Sequence, residues 1–167
     1  MPLLQPTKWL RRITQITPEM LCTLSVRALL LDVDNTLTTH NNPVADPHIA
    51  QWLELMRKNG IPMMIISNNK PARVKAFANA LELPFTASAK KPLGVGFRRA
   101  AAKLNVRPSE LAVVGDQLFT DVLGGNLFGA VTILVEPMEP EDMWFFRLKR
   151  RFERVALSGR QAEEETR

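Results

Sequence analysis

One cysteine, Cys22, stands in 167 residues. It excludes an intrachain disulfide framework, makes a metal site built from thiolates a poor prospect, and fits a reducing cytoplasm. No run approaches the ~20 consecutive apolar residues that a membrane-spanning helix needs, and no apolar stretch follows the early basic residues as it would in a secretory signal. Internal repeats, low-complexity tracts and interior linkers are missing as well. These absences lead to the expectation of one soluble, cytoplasmic domain over residues 1–167, at most peripheral at the inner face of a membrane. What is present is ordinary for a globular protein, with 46% hydrophobic and 23% charged residues. A net charge of +5 leans toward anionic partners: nucleotides, nucleic acid or an acidic lipid surface.

Four short apolar runs read as strands covered on both faces: 27–33, 61–67, 111–116 and 130–136, with a weaker fifth at 84–89. Helical patterns lie between them. Residues 46–60 start with Asp46 and Pro47 and stop at Gly60. Residues 70–83 and 94–106 repeat apolar residues at helical spacing, while 117–129 reads as a shorter helix broken by Gly124 and Gly125. Near the start, Thr17 caps a helix with Pro18 first. Alternation of strand and helix predicts an α/β fold, a parallel sheet flanked by helices, with ligands beyond the carboxyl ends of the strands.

Polar residues collect at those ends. Asp32 and Asp34 follow the first run, Ser67 with Asn68 and Asn69 the second, Lys90 and Lys91 the weak one, and Asp116 and Asp121 the strand of 111–116. Acids placed at the end of a core segment are costly unless something cationic shares the site. Either they cap turns, or they hold a hard cation such as Mg²⁺ through oxygen ligands. On the second reading Asp32 attacks phosphorus as a carboxylate nucleophile. Asp34, on the same side of the chain, gives a proton to the leaving oxygen and later activates water. The Ser67 hydroxyl and a lysine then serve the phosphoryl oxygens.

These residues resemble the motifs of the haloacid dehalogenase (HAD) superfamily of aspartate-nucleophile phosphatases. Its DxDxT motif is similar to "DVDNT" (32–36), its strand-ending Ser or Thr to Ser67 in "IISNN", its lysine to Lys91 in "KKP" with Lys90 the fallback, and its GDxxxTD to "GDQLFTD" (115–121). The resemblance implies that Asp32 is the nucleophile, Asp34 the acid and base, Asp116 a Mg²⁺ ligand and Asp121 a support of the metal. At Asp34 it implies a backbone carbonyl ligand. Thr36, Ser67, Asn68 and Lys91 are the expected phosphoryl contacts. "ITPEML", "KKPLGVGF" and "GDQLFTDVLGGN" further resemble the class IIIA, YqeG-type branch. That branch implies phosphatidylglycerophosphate as substrate, in phospholipid synthesis.

Larger members insert a cap domain between the motifs. Thr38–Ile65 and Asn69–Ala89 have room for none, so the site is expected to be lidless and suited to a substrate or surface that covers it. Residues 141–157 place Trp144, Phe145, Leu148 and Phe152 on one helical face among arginines and lysines, and residues 1–16 combine Trp9, Leu10, Ile13 and Ile16 with basic neighbours. Both segments are expected to rest either on the protein's own core or on an anionic bilayer. His40 and His48 read as surface residues; Trp52, Leu53 and Met56 read as core. Asp34 argues against halide chemistry, which needs no acid. Three alternatives stay open: a lipid phosphatase, a phosphatase of nucleic-acid ends or phosphoproteins, and a non-catalytic scaffold for an anionic partner. No obligate protein partner is expected.

Overall fold

The computed structural model describes residues 3–39 and 45–138. Strands β1 (Lys8–Leu10), β2 (Ala28–Leu31), β3 (Met63–Ile66), β4 (Phe85–Thr86), β5 (Leu111–Gly115) and β6 (Val131–Val135) form one parallel sheet in the order β1-β6-β5-β2-β3-β4. Helices α1 (Pro18–Thr23), α2 (Pro47–Lys58), α3 (Pro71–Ala80), α4 (Gly94–Leu104) and α5 (Leu123–Phe128) connect them.

Continuous apolar runs, rather than alternating ones, follow from burial on both faces. Leu29 and Leu31 of β2, Met63 and Ile65 of β3, and Ala112 and Val114 of β5 belong to one core cluster, together with Trp52, Leu53 and Met56 of α2 and Val74 and Phe77 of α3. Their neighbours Leu30, Met64, Ile66, Leu111 and Val113 belong to the other, with Phe97 and Ala100 of α4. Buried Trp52 gives its indole N–H to the Ile16 carbonyl at 2.8 Å, so its polar atom is satisfied.

Capping sets the helix starts. The Asp46 carboxylate accepts from the His48 backbone N–H at 2.8 Å ahead of Pro47, and Thr17 Oγ1 accepts from the Met20 N–H at 3.2 Å ahead of Pro18. Gly60, at φ +68°, takes the left-handed conformation just after α2.

Two expectations change. The glycines of α5 do not break it; they let it pack closely. A Cβ on Gly124 would lie 2.6 Å from the Phe97 ring, and one on Gly125 would lie 2.5 Å from Thr132 Cγ2. A wide π-type turn, Leu118–Val122, precedes the helix instead. The basic N-terminal segment contributes a sixth strand, β1, that pairs parallel with β6, and Leu10, Ile13 and Ile16 are buried in the core. The C-terminal segment 141–157 and His40 lie outside the described residues, while His48 is exposed at the start of α2. Among the described residues no helix is long and apolar enough to cross a membrane.

Candidate active site

Strand pairing delivers the site. β2 lies between β3 and β5, and the Asp32 N–H continues the ladder onto the Val114 carbonyl at 2.9 Å, which fixes Asp32 at the carboxyl end of the central strand. Ser67 extends β3 in the same way, its N–H on the Thr86 carbonyl at 3.0 Å. Asp116 follows β5. Gly115 makes room beside it: a Cβ there would fall 2.3 Å from the Asp121 carboxyl carbon, so only glycine lets the next turn close over the strand end.

One carboxylate oxygen from each of Asp32, Asp116 and Asp121 lies within 4.8 Å of the others, and all three residues are buried. Lys91 enters this cluster from the β4–α4 loop. Its ammonium, 3% exposed, donates to Asp32 Oδ1 and Asp121 Oδ1 at 2.6 Å each and to the Ile66 carbonyl at 3.3 Å. Burial pushes the Asp32 carboxyl up to about 6, against the pull of Lys91 and with repulsion from Asp121 adding to the rise. For Lys91, burial opposes the charge, but the carboxylates of Asp121 and Asp32 outweigh it and hold the ammonium above its ordinary value. Three acids with one cation are therefore a site short of positive charge. An all-oxygen, carboxylate-rich donor set of this kind fits a hard divalent ion such as Mg²⁺.

Asp34 stands apart from that cluster. Its Oδ1 accepts from the Arg73 guanidinium and its Oδ2 from the Asn69 amide, and its carboxylate is not one of the three grouped around Lys91. Asn68 holds the lysine loop by its backbone: its Oδ1 accepts from the Lys91 N–H at 2.7 Å and its amide donates to the Lys91 carbonyl at 3.1 Å. Ser67 Oγ accepts from the Asn69 N–H at 3.1 Å, which leaves its own hydrogen to donate. Thr36 is buried and its Oγ1 has no hydrogen-bond partner among the described residues. Lys90 is exposed at φ +55°, while Lys91 is the lysine turned inward.

Comparison with known proteins fits this arrangement. The family model for haloacid dehalogenase-like hydrolases matches residues 43–129. The "Probable phosphatase YqeG" of Bacillus subtilis is 42% identical over 154 residues, which cover 92% of this chain and 90% of that one. The chain is a haloacid dehalogenase-like phosphatase. A second relative, "Phosphatidylglycerophosphatase GEP4, mitochondrial" of Saccharomyces cerevisiae, is 29% identical over 127 residues, 66% of this chain and 67% of that one. The cobalt-bound deoxy-D-mannose-octulosonate 8-phosphate phosphatase of Haemophilus influenzae shares the fold at a TM-score of 0.55 and 12% identity, over 80% of this chain and 88% of that one.

Within this HAD phosphatase the motif positions Asp32, Asp116, Asp121 and Lys91 converge, with Ser67 next to the Ile66 carbonyl that Lys91 touches. Two residues that hold Asp34 were not legible beforehand. In the sequence Asn69 is only one of the polar residues after the second apolar run, and Arg73, a single arginine in the first turn of a helix, carries no pattern.

Proposed function

We propose that this phosphatase hydrolyses phosphomonoesters through an aspartyl-phosphate on Asp32, with Mg²⁺ as cofactor and phosphatidylglycerophosphate as substrate. The observation that carries the reading is the buried Asp32–Asp116–Asp121 cluster with Lys91 inside it. Asp32, Asp116 and Asp121 would hold the ion, together with the Asp34 backbone carbonyl, and when bound it supplies the missing positive charge for phosphoryl oxygens. Asp32 attacks phosphorus and the bond to the leaving oxygen breaks. Asp34 gives that oxygen its proton, so the alcohol departs neutral. Asp34 then takes a proton from water as the water attacks the acyl phosphate, which releases inorganic phosphate and restores the Asp32 carboxylate. Ser67, Thr36 and Lys91 serve the phosphoryl oxygens, and Asn68 sets the loop that carries Lys91.

Three features support a lipid substrate. Between Ser67 and Lys91 the chain holds only α3 and β4, and residues 45–66 hold only α2 and β3, so the described residues contain no second domain over the site. Beside Lys91, Leu93 and Val95 are 60% and 41% exposed, with Lys90 and Arg98 exposed around them, a mixture suited to an anionic bilayer. The GEP4 relative bears the name of a phosphatidylglycerophosphatase. Peripheral binding at the inner face of a membrane belongs to this reading, with segment 141–157 as a further contact.

Phosphate release from phosphatidylglycerophosphate in mixed micelles tests the proposal. Turnover should require Mg²⁺ and vanish in Asp32→Asn. Oligonucleotide 3′-phosphates provide the competing arm, because the net charge of +5 also favours nucleic acid. Faster turnover of the oligonucleotide would transfer the substrate assignment, and no turnover of any ester would leave only a scaffold.

A further inference from the structure

We propose that Arg73, together with Asn69, is the positioning residue of the proton-transfer step, holding the Asp34 carboxylate in the one orientation that faces a leaving oxygen. The inference rests on the reading of Asp34 as acid and base given above.

The geometry is specific. Each oxygen of Asp34 accepts from a side chain of the segment after β3, Oδ1 from Arg73 and Oδ2 from Asn69. Two donors on separate oxygens fix the rotation of a carboxylate, which one donor leaves free to swing. Neither donor comes from the turn that carries Asp34. That turn bends sharply, with Asn35 at φ +58°, and its backbone bonds among Val33, Asn35 and Thr38 do not involve the Asp34 side chain. Both donors come from the loop and first turn after β3, the same segment that presents Ser67, and Asn69 also gives its N–H to Ser67 Oγ at 3.1 Å. The β2–β3 register, with Leu31 beside Ile65, therefore sets acid and phosphoryl-binding hydroxyl relative to each other.

Exposure separates this pair from the metal cluster. The Asp34 side chain is 16% exposed and that of Arg73 38%, whereas Lys91 and Asp121 are 3% and 2%. Asp34 is thus open enough to meet substrate and water while its direction is held by the neighbouring segment. Lys91 already occupies Asp32 and Asp121, so the work of Arg73 falls on a different carboxylate. A planar guanidinium fixes direction in a way that a lysine ammonium does not.

A leaving-group comparison on the full chain with Mg²⁺ tests this. The quantity is kcat/KM, which reports steps up to formation of the aspartyl-phosphate and so includes departure of the alcohol but not the later hydrolysis common to all esters. The substrates are p-nitrophenyl phosphate, whose phenolate leaves without help, and glycerol 3-phosphate, whose alkoxide needs a proton. Loss of a positioned general acid costs part or all of the ~10²–10⁴-fold such an acid contributes. Arg73→Met should therefore lower kcat/KM for the alkyl ester at least about tenfold and for the aryl ester only a few-fold. Where Arg73→Met does not fold, Arg73→Lys carries the test, and the same selective loss is expected, smaller in size. Equal losses for both esters, or no loss for either, overturn the role assigned to Arg73. Asp32→Asn keeps the two readings apart: activity persisting in that variant overturns the aspartyl-phosphate mechanism on Asp32, whereas equal losses in an Arg73 variant with Asp32→Asn inactive overturn only the positioning role.

Discussion

At the scale of single residues, Lys91 carries the most weight. Its ammonium pairs with both Asp32 and Asp121 in a buried cluster, so Lys91→Met leaves two acids without it. Removal of one partner from a buried ion pair costs roughly 3–5 kcal/mol, and urea unfolding of the metal-free variant should show a loss of that order. Gly115→Ala acts by crowding instead: the new Cβ meets the Asp121 carboxyl group, whose loop must move. We expect a cost of about 1–3 kcal/mol, together with a loss of phosphatase activity larger than the loss of folded protein. The motif acids were legible because each follows an apolar run, and a strand end fixes direction as well as position. Arg73 was not legible, since it sits in the first turn of α3 while its partner Asp34 lies in the turn after β2, and only the β2–β3 pairing brings the two together. For Asn68 the family resemblance implies a phosphoryl contact, whereas its side chain holds the Lys91 backbone.

Elements differ in how plainly they announce themselves. β2, β3, β5 and β6 were marked by runs of four or five residues, nearly all apolar and buried, and α2 by its cap, its period and its stop. β1 has three residues, Lys-Trp-Leu, of which only Leu10 is buried, too short a stretch for any period to show. Gly124 and Gly125 looked like a break because glycine lowers helix propensity, yet close packing against Phe97 and Thr132 decides there. At the opposite end of the sheet, Glu110 leads into β5 and accepts from the Arg107 guanidinium and backbone N–H, with Arg27 at 3.5 Å. The hydrogen bonds from Arg107 lower its carboxyl from 4.5 to about 2. A lowered carboxyl stabilises the fold above its ordinary value and loses that contribution as pH falls through the folded one. The difference in stability between wild type and Glu110→Gln should therefore be flat above pH 4.5 and shrink toward zero near pH 2, as followed by circular dichroism across an acid titration.

Over the whole molecule, the buried charges of the described residues gather at one pole. The carboxylates with their lysine gather where the strands end, and the apolar layers beneath them are closed by helices on both faces. A divalent ion that binds only the folded state adds stability in proportion to its occupancy, about 2.7 kcal/mol at a hundred times its dissociation constant. Mg²⁺ should raise the melting temperature of the wild type and leave that of Asp116→Asn nearly unchanged; equal shifts in both would remove Asp116 from the ion's ligands. The sheet has one more property, which concerns its assembly. β1 precedes every other strand in the chain but finds its hydrogen-bonding neighbour in β6, the last of the six. During synthesis this segment must wait, unpaired, until residue 135 has emerged, and any polypeptide that stops short of it keeps one margin of the sheet unfinished.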